Sequence, residues 1–214
     1  MATDSASTPT ATKEDSPGVW SAITFWGAVL WILAYCGVLL SAFAVQLIGE
    51  EFPCPLCMLQ RYAMILCTLG ALWIVMQARR NELTAARYAQ GLGMGIIGAV
   101  VGMVISSRQV LLHILPGDPG YGDPILGLHL YTWALLTFVI VILYCGVALM
   151  LTTRAVPRAP REGSVLRTVS TIVIWLFLLV LAANVVGIVL LEGFAWVLPD
   201  DPDSYNLIDQ LAGS

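Results

Sequence analysis

Two cysteines two residues apart open the chemistry of this chain: Cys54-Pro55-Leu56-Cys57, followed one helical turn later by Arg61. Thiols at this spacing can close a small disulfide, and such pairs commonly carry lowered thiol pKa values. The apolar run that follows makes Cys57 the opening of a helix, where free N–H groups and the helix dipole favour a thiolate. Arg61 lies on the same face, so a permanent positive charge looks at the same spot. The constellation is that of a redox pair with a cation beside it.

The elements that must hold these residues are membrane helices. The chain is 58% hydrophobic and only 11% charged, with a mean hydropathy of +0.84. A soluble domain has roughly twice that charged fraction, so the composition excludes one. Apolar stretches near 20–47, 56–78, 88–115, 126–152 and 168–191 are long enough to cross a bilayer, which takes about 20 residues. The first 19 residues, rich in Ala, Ser, Thr and Pro, read as a disordered tail. Ala42-Phe43-Ala44 resembles a signal-peptide cleavage site. The start is nearly uncharged and the apolar run long, however, so the first helix reads as an anchor. The division expected is a cytoplasmic tail over 1–19, a helical bundle over 20–152, a basic loop over 153–167, a fifth span over 168–191 and an acidic tail over 192–214.

Arginines set the orientation. Arg79, Arg80 and Arg87 follow the second span, and Arg154, Arg158, Arg161 and Arg167 follow the fourth. Both links, with the Lys13 tail, are assigned to the cytoplasm. Glu50, Glu51, Asp118, Asp123, Glu192, Asp200, Asp201 and Asp203 gather on the other side. The N-terminus is then inside, the C-terminus outside, and Cys54 and Cys57 face a compartment that permits disulfides. Arg61 and Arg108 alone break the sorting. An arginine at mid-bilayer costs about 2.5–3.5 kcal/mol on insertion scales, less near an interface. Two such exceptions at the cysteine end point to something anionic or strongly polar bound beside the thiols.

Other motifs carry less. Gly91-Leu92-Gly93-Met94-Gly95-Ile96-Ile97-Gly98 matches the dinucleotide fingerprint, but no strand precedes it and it lies in a membrane helix. Its glycines four apart serve close helix packing. Cys36, Cys67 and Cys145 read as small packing residues; Cys67 is ten residues along the helix from Cys57, about 15 Å. Zinc is the competing chemistry, since Cys54, Cys57, His113 and His129 share the outer side. The histidines lie on different helices, and no metal is assigned.

These residues resemble the DsbB family of membrane thiol:quinone oxidoreductases, which reoxidise periplasmic disulfide donors. The resemblance covers Trp20 to Leu151. It rests on the cysteine pair with Arg61, on Arg108-Gln109-Val110-Leu111-Leu112-His113 where many members carry Arg-His-Val-Trp-Leu-Gln, and on Leu126-Gly127-Leu128 with Trp133. The family's second cysteine pair, in the outer loop between the third and fourth spans, has no counterpart in Pro116–Ile125. A fifth span and an acidic tail are added.

The resemblance implies an all-α protein: a four-helix transmembrane bundle of DsbB type plus a fifth transmembrane helix, in the plasma (inner) membrane of a bacterium. It also implies a quinone, ubiquinone or menaquinone, as electron acceptor from the membrane pool. The partner implied is an extracytoplasmic thioredoxin-fold dithiol protein of the DsbA type; nucleic acid is not a partner. Cys54, outermost and held open by Pro53 and Pro55, is expected to exchange with the partner. Cys57 is expected to meet the quinone ring, with Arg61 stabilising its reduced oxygen. Arg108, Gln109, His113, His129 and Trp133 complete the expected cofactor site, the histidines as hydrogen-bond or proton donors. Gln109 and His113 share a face, whereas Arg108 and His113 stand about 140° apart. Trp133, Trp196, Tyr121 and Tyr131 also suit an aromatic belt, and Asn184 suits interhelical packing. The tail from Glu192 is expected to anchor at the interface and to cover the cysteine site or dock a partner. The competing reading is a non-catalytic quinone-binding or assembly protein that keeps the fold. A carrier passing electrons outward would need an inner-side cysteine pair, which the sequence does not offer.

Overall fold

The computed structural model describes residues 18–49, 51–195, 202 and 204–212. The Lys13 tail, Glu50, Trp196, Asp200, Asp201 and Asp203 lie outside the described residues. Five helices are long and apolar enough to cross a membrane: α1 (Val19–Ile48), α2 (Pro55–Arg79), α3 (Ala85–Leu112), α4 (Leu130–Met150) and α5 (Val165–Glu192). A 3-10 turn (Gly193–Ala195) and a short α6 (Asn206–Ala212) follow. Even α4, with 21 residues, reaches about 31 Å, the thickness of a hydrocarbon core. No strand runs among the described residues. The protein is an all-helical membrane bundle.

The helix starts are written in capping residues. The Cys54 sulfur accepts from the Cys57 N–H at 3.2 Å, with Pro55 at the first helical position of α2. Thr84 caps α3 through the Arg87 N–H, and Ser164 caps α5 through the Arg167 N–H. The Ser164 cap starts α5 three residues ahead of the expected Thr168.

Two boundaries move the other way. The third span was expected to reach Leu115, but α3 ends at Leu112 with His113 as its cap. The fourth was expected from Leu126. There the chain makes a tight turn, with φ of 53° at Leu126 and 80° at Gly127, closed by paired Ile125 and Leu128 main-chain bonds. Two successive positive φ values belong to a hairpin-type turn and forbid a right-handed helix. α4 therefore starts at Leu130.

α2 is the hub, touching α1, α3, α4 and α5. Its seam with α3 is made of glycines. A Cβ on Gly98 would stand 2.5 Å from the Cys67 nitrogen, and one on Gly70 would collide with the Gly91 carbonyl. The backbones thus approach as small residues allow in membrane helices. α5 packs chiefly on α1, outside the four-helix set. It is tied to the end of α2 by reciprocal bonds: Arg79 donates to the Arg167 carbonyl at 3.0 Å and to Ser170 Oγ at 2.5 Å, while Arg167 donates to the Arg79 carbonyl at 2.8 Å.

Candidate active site

The cap that starts α2 also builds the thiol site, because both sulfurs are held by the helix opening itself. Both cysteines are free. Cys57 is half-buried, whereas Cys54 is only 6% exposed. Pro53 and Pro55 predict an outermost Cys54 held open for exchange. Instead the loop before it is pinned down: the Tyr121 hydroxyl donates to the Phe52 carbonyl at 2.6 Å, and Gln109 covers the sulfur.

Gln109, 1% exposed, donates its amide N–H groups to Cys54 Sγ at 3.4 Å and Cys57 Sγ at 3.5 Å. Its orientation is fixed by Gln60, whose Nε2 donates to Gln109 Oε1 at 2.7 Å. With the oxygen occupied, the NH2 end faces the sulfurs, where donors favour a negative sulfur. The Cys54 thiol is pushed well above its usual range, first by its hydrogen bond to the Cys57 sulfur and then by burial. Of the pair, Cys54 is the one that keeps its proton.

Arg61 is 7% exposed. Its guanidinium donates to Gln46 Oε1 at 2.9 Å and to the Ala42 carbonyl at 3.1 Å, and lies over the Phe43 ring at 5.4 Å. Cys57, Cys54, Tyr205 and Tyr62 lie near enough for a negative charge on them to act on it, and Glu51 lines the cavity it borders. Among the described residues no carboxylate pairs with it, and a buried cation is costly unless it is paired.

Cys57 and Arg61 line the same cavity, about 490 Å³, walled by α1, α2, α4 and the 121–126 loop. Val38, Ala42, Val45, Met64 and Ala134 make its apolar walls, and Trp133 stands at its side. A second cavity of about 320 Å³ lies between α1 and α4 and shares Val38 and Thr137 with the first. It runs down α1 to Gly27, eleven residues or about 16 Å.

The remaining expected site residues fall in three places. Trp133 lines the main cavity, its indole N–H held by the Ile125 carbonyl at 3.0 Å. His113 and His129 do not reach the thiols. They stack on Tyr131, at centroid distances of 5.6 and 5.2 Å. His113 also bonds Asp118 at 3.1 Å and His129 the Gly122 carbonyl at 3.1 Å. Tyr131 itself lines the cavity, and neither histidine does. Arg108, expected beside the thiols, is exposed and borders a separate shallow cleft with Met103, Val104, Ser107, Leu111 and Leu112. Neighbours in sequence, Gln109 and Arg108 project about 100° apart on a helix, and Gln109 takes the inward position. Among the described residues no three Cys, His, Asp or Glu stand close enough to share a metal ion. Cys36, Cys67 and Cys145 are fully buried in the core.

Sequence reasoning gave no role to Gln46 and Gln60 and placed Tyr131 in an aromatic belt rather than on the cavity. The first two carried a readable signal: a buried amide in an apolar span must find a partner.

Fold and site together define a helical membrane protein with a capped thiol pair and a buried arginine on one apolar cavity. The family model "Disulfide bond formation protein DsbB" matches residues 24–123, which takes in both cysteines, Gln60, Arg61 and Gln109. Over that segment the chain is similar to the DsbB family. It is 35% identical over 89 residues to the "Disulfide bond formation protein B" of Hahella chejuensis, covering 42% of this chain and 52% of that protein. To its Xanthomonas campestris pv. campestris namesake it is 40% identical over 91 residues, 42% of this chain and 51% of that one. To "Disulfide bond formation protein B 1" of Pseudomonas fluorescens it is 28% identical over 132 residues, 48% and 75%. The chain thus spans about half the length of the first relatives it matches. No solved structure matches it significantly.

Proposed function

We propose that this protein is a thiol:quinone oxidoreductase of a bacterial inner membrane, forming disulfides in extracytoplasmic proteins. The observation that carries the reading is the shared cavity: one sulfur of the pair and one buried guanidinium face the same mostly apolar space. The names of its relatives, disulfide bond formation proteins, support the activity. The sorting of arginines and acidic residues between the links supports a pair on the outer side.

A quinone fits this site. The main cavity suits a planar ring, and the apolar α1–α4 groove continues it for an isoprenoid tail. Ala42, Val45 and Trp133 would flank the ring, with Arg61 at a ring oxygen. Ubiquinone and menaquinone both answer this description. When bound, the quinone supplies an acceptor for two electrons and two protons.

In the first half-reaction the Cys54–Cys57 disulfide oxidises a soluble dithiol, of the DsbA type, by exchange. The incoming thiols form their own disulfide, and the two cysteines of this chain receive the two electrons and two protons. In the second, Cys57 gives up its electron pair towards the cavity and Cys54 closes the S–S bond as both protons leave. Gln109 steadies the Cys57 thiolate while Cys54 holds its proton. Arg61 offers positive charge where negative charge develops.

With no second cysteine pair in the 116–125 loop, exchange must take place on Cys54 or Cys57 directly. The burial of Cys54 under the Phe52–Tyr121 contact requires that contact to open. The same burial favours the competing reading, a quinone-binding protein without turnover. Quinone reduction driven by a reduced DsbA-type protein decides between them. Wild type should turn over, and Cys54→Ser and Cys57→Ser should each abolish it. Thiols that stay reduced in the presence of excess quinone would establish the non-catalytic protein instead.

A further inference from the structure

We infer that Tyr205 is a positioning residue for the Arg61 guanidinium, acting from the C-terminal segment through Gln46. The inference rests on reading the cavity as the quinone site and adds a part from beyond the family segment. After α5, Gly193 turns the chain with φ of 64°. The Phe194 N–H then donates to Gln210 Oε1 at 2.8 Å, which ties α6 back to the end of α5. Ser204 Oγ donates to Asp209 Oδ2 at 2.6 Å and closes the start of α6. Tyr205 is thereby delivered to the mouth of the thiol site. Its ring meets Phe52 edge-on at 5.1 Å and 73°, two residues before Cys54.

The relay is short. Gln46, 4% exposed, donates from Nε2 to the Tyr205 hydroxyl oxygen at 3.4 Å and accepts from Arg61 Nη1 on Oε1 at 2.9 Å. An amide has one donor end and one acceptor end, and only the acceptor end suits a cation. The Tyr205 hydroxyl engages the donor end, so the oxygen is left facing Arg61. Without the hydroxyl the amide can turn over and present its NH2 to the guanidinium. Arg61 would then keep the Ala42 carbonyl and the Phe43 ring and lose its fixed aim into the cavity. The ring of Tyr205 fills space against Phe52 whether or not the hydroxyl is present, which separates packing from positioning.

The test uses the full chain in detergent and a short-tailed benzoquinone, with binding followed by quenching of tryptophan fluorescence. Tyr205→Phe, which keeps the ring, should raise Kd roughly two- to tenfold, the worth of one neutral hydrogen bond. The thermal midpoint without ligand should stay at the wild-type value. Gln46→Leu should weaken binding at least as much, and Tyr205→Phe should add nothing in that background. Wild-type affinity in Tyr205→Phe overturns the inference while leaving the quinone site intact. So does an equal loss with and without Gln46. If the wild type itself shows no saturable quenching, the reading of the cavity falls and the relay with it.

Discussion

Helix α2 carries an arginine near each end, and the two are held in opposite ways. Arg79 spends its bonds on the Arg167 carbonyl and Ser170 Oγ of α5, and the Arg167 guanidinium answers on the Arg79 carbonyl. Each of these contacts joins α2 to α5. Arg61, 18 residues earlier in the same helix and about 27 Å away, is gripped from one side by Gln46 and Ala42. Its other side borders a cavity and a sulfur. An arginine whose partners are all structural is a clasp. One that is anchored and still faces open space is equipped to act.

The comparison breaks most visibly if Arg61 is replaced. Arg61→Met should lower kcat/KM for quinone on the order of 100-fold, as removal of a charge-stabilising donor does, measured with saturating dithiol. Arg79→Met should do the reverse. Quinone kinetics should stay within twofold, while loss of the clasp lowers the stability of the detergent-solubilised protein by about 1–2 kcal/mol, read from its unfolding midpoint. The smallest effect is expected at a charge outside the bundle. The Gly120 N–H, then His113, hold the Asp118 carboxyl below its usual range. Because its folded value is lower than its unfolded one, its contribution is present above the unfolded carboxylate pKa, about 4. It is lost as pH falls through the folded value. Protection against hydrogen exchange in the 116–122 loop, taken relative to the intrinsic rate at each pH, should therefore fall on acidification in the wild type. Asp118→Asn should show the lower protection already at neutral pH.

What the sequence made legible follows the range of the interactions. The five spans are visible as hydropathy, and the Cys57–Arg61 pairing is visible as one turn of a helix. Contacts that cross the chain were not. Gln109 reaches Cys54 over 55 residues, and Tyr205 reaches Gln46 over 159. Position on a helix face decided the rest. Arg108 and Gln109 are adjacent in sequence, yet one faces outward and the other touches both sulfurs. Cys54 shows a further limit: its flanking prolines describe the local backbone, but its burial is set by Tyr121 and Gln109 from other parts of the chain. The early stop of α3 and late start of α4 arose from turn conformations that average hydropathy does not register.

The glycine seam between α2 and α3 governs more than a spacing. Gln109 rides on α3, eleven residues and about 16 Å past Gly98, while both sulfurs ride on α2. The two helices work like the arms of tongs with their pivot deep in the bilayer. One methyl group at the pivot, where the Cys67 nitrogen leaves no room, would spread the tips and draw the amide off the thiols. The tuning of the sulfurs is set three turns below them, by atoms that glycine does not have.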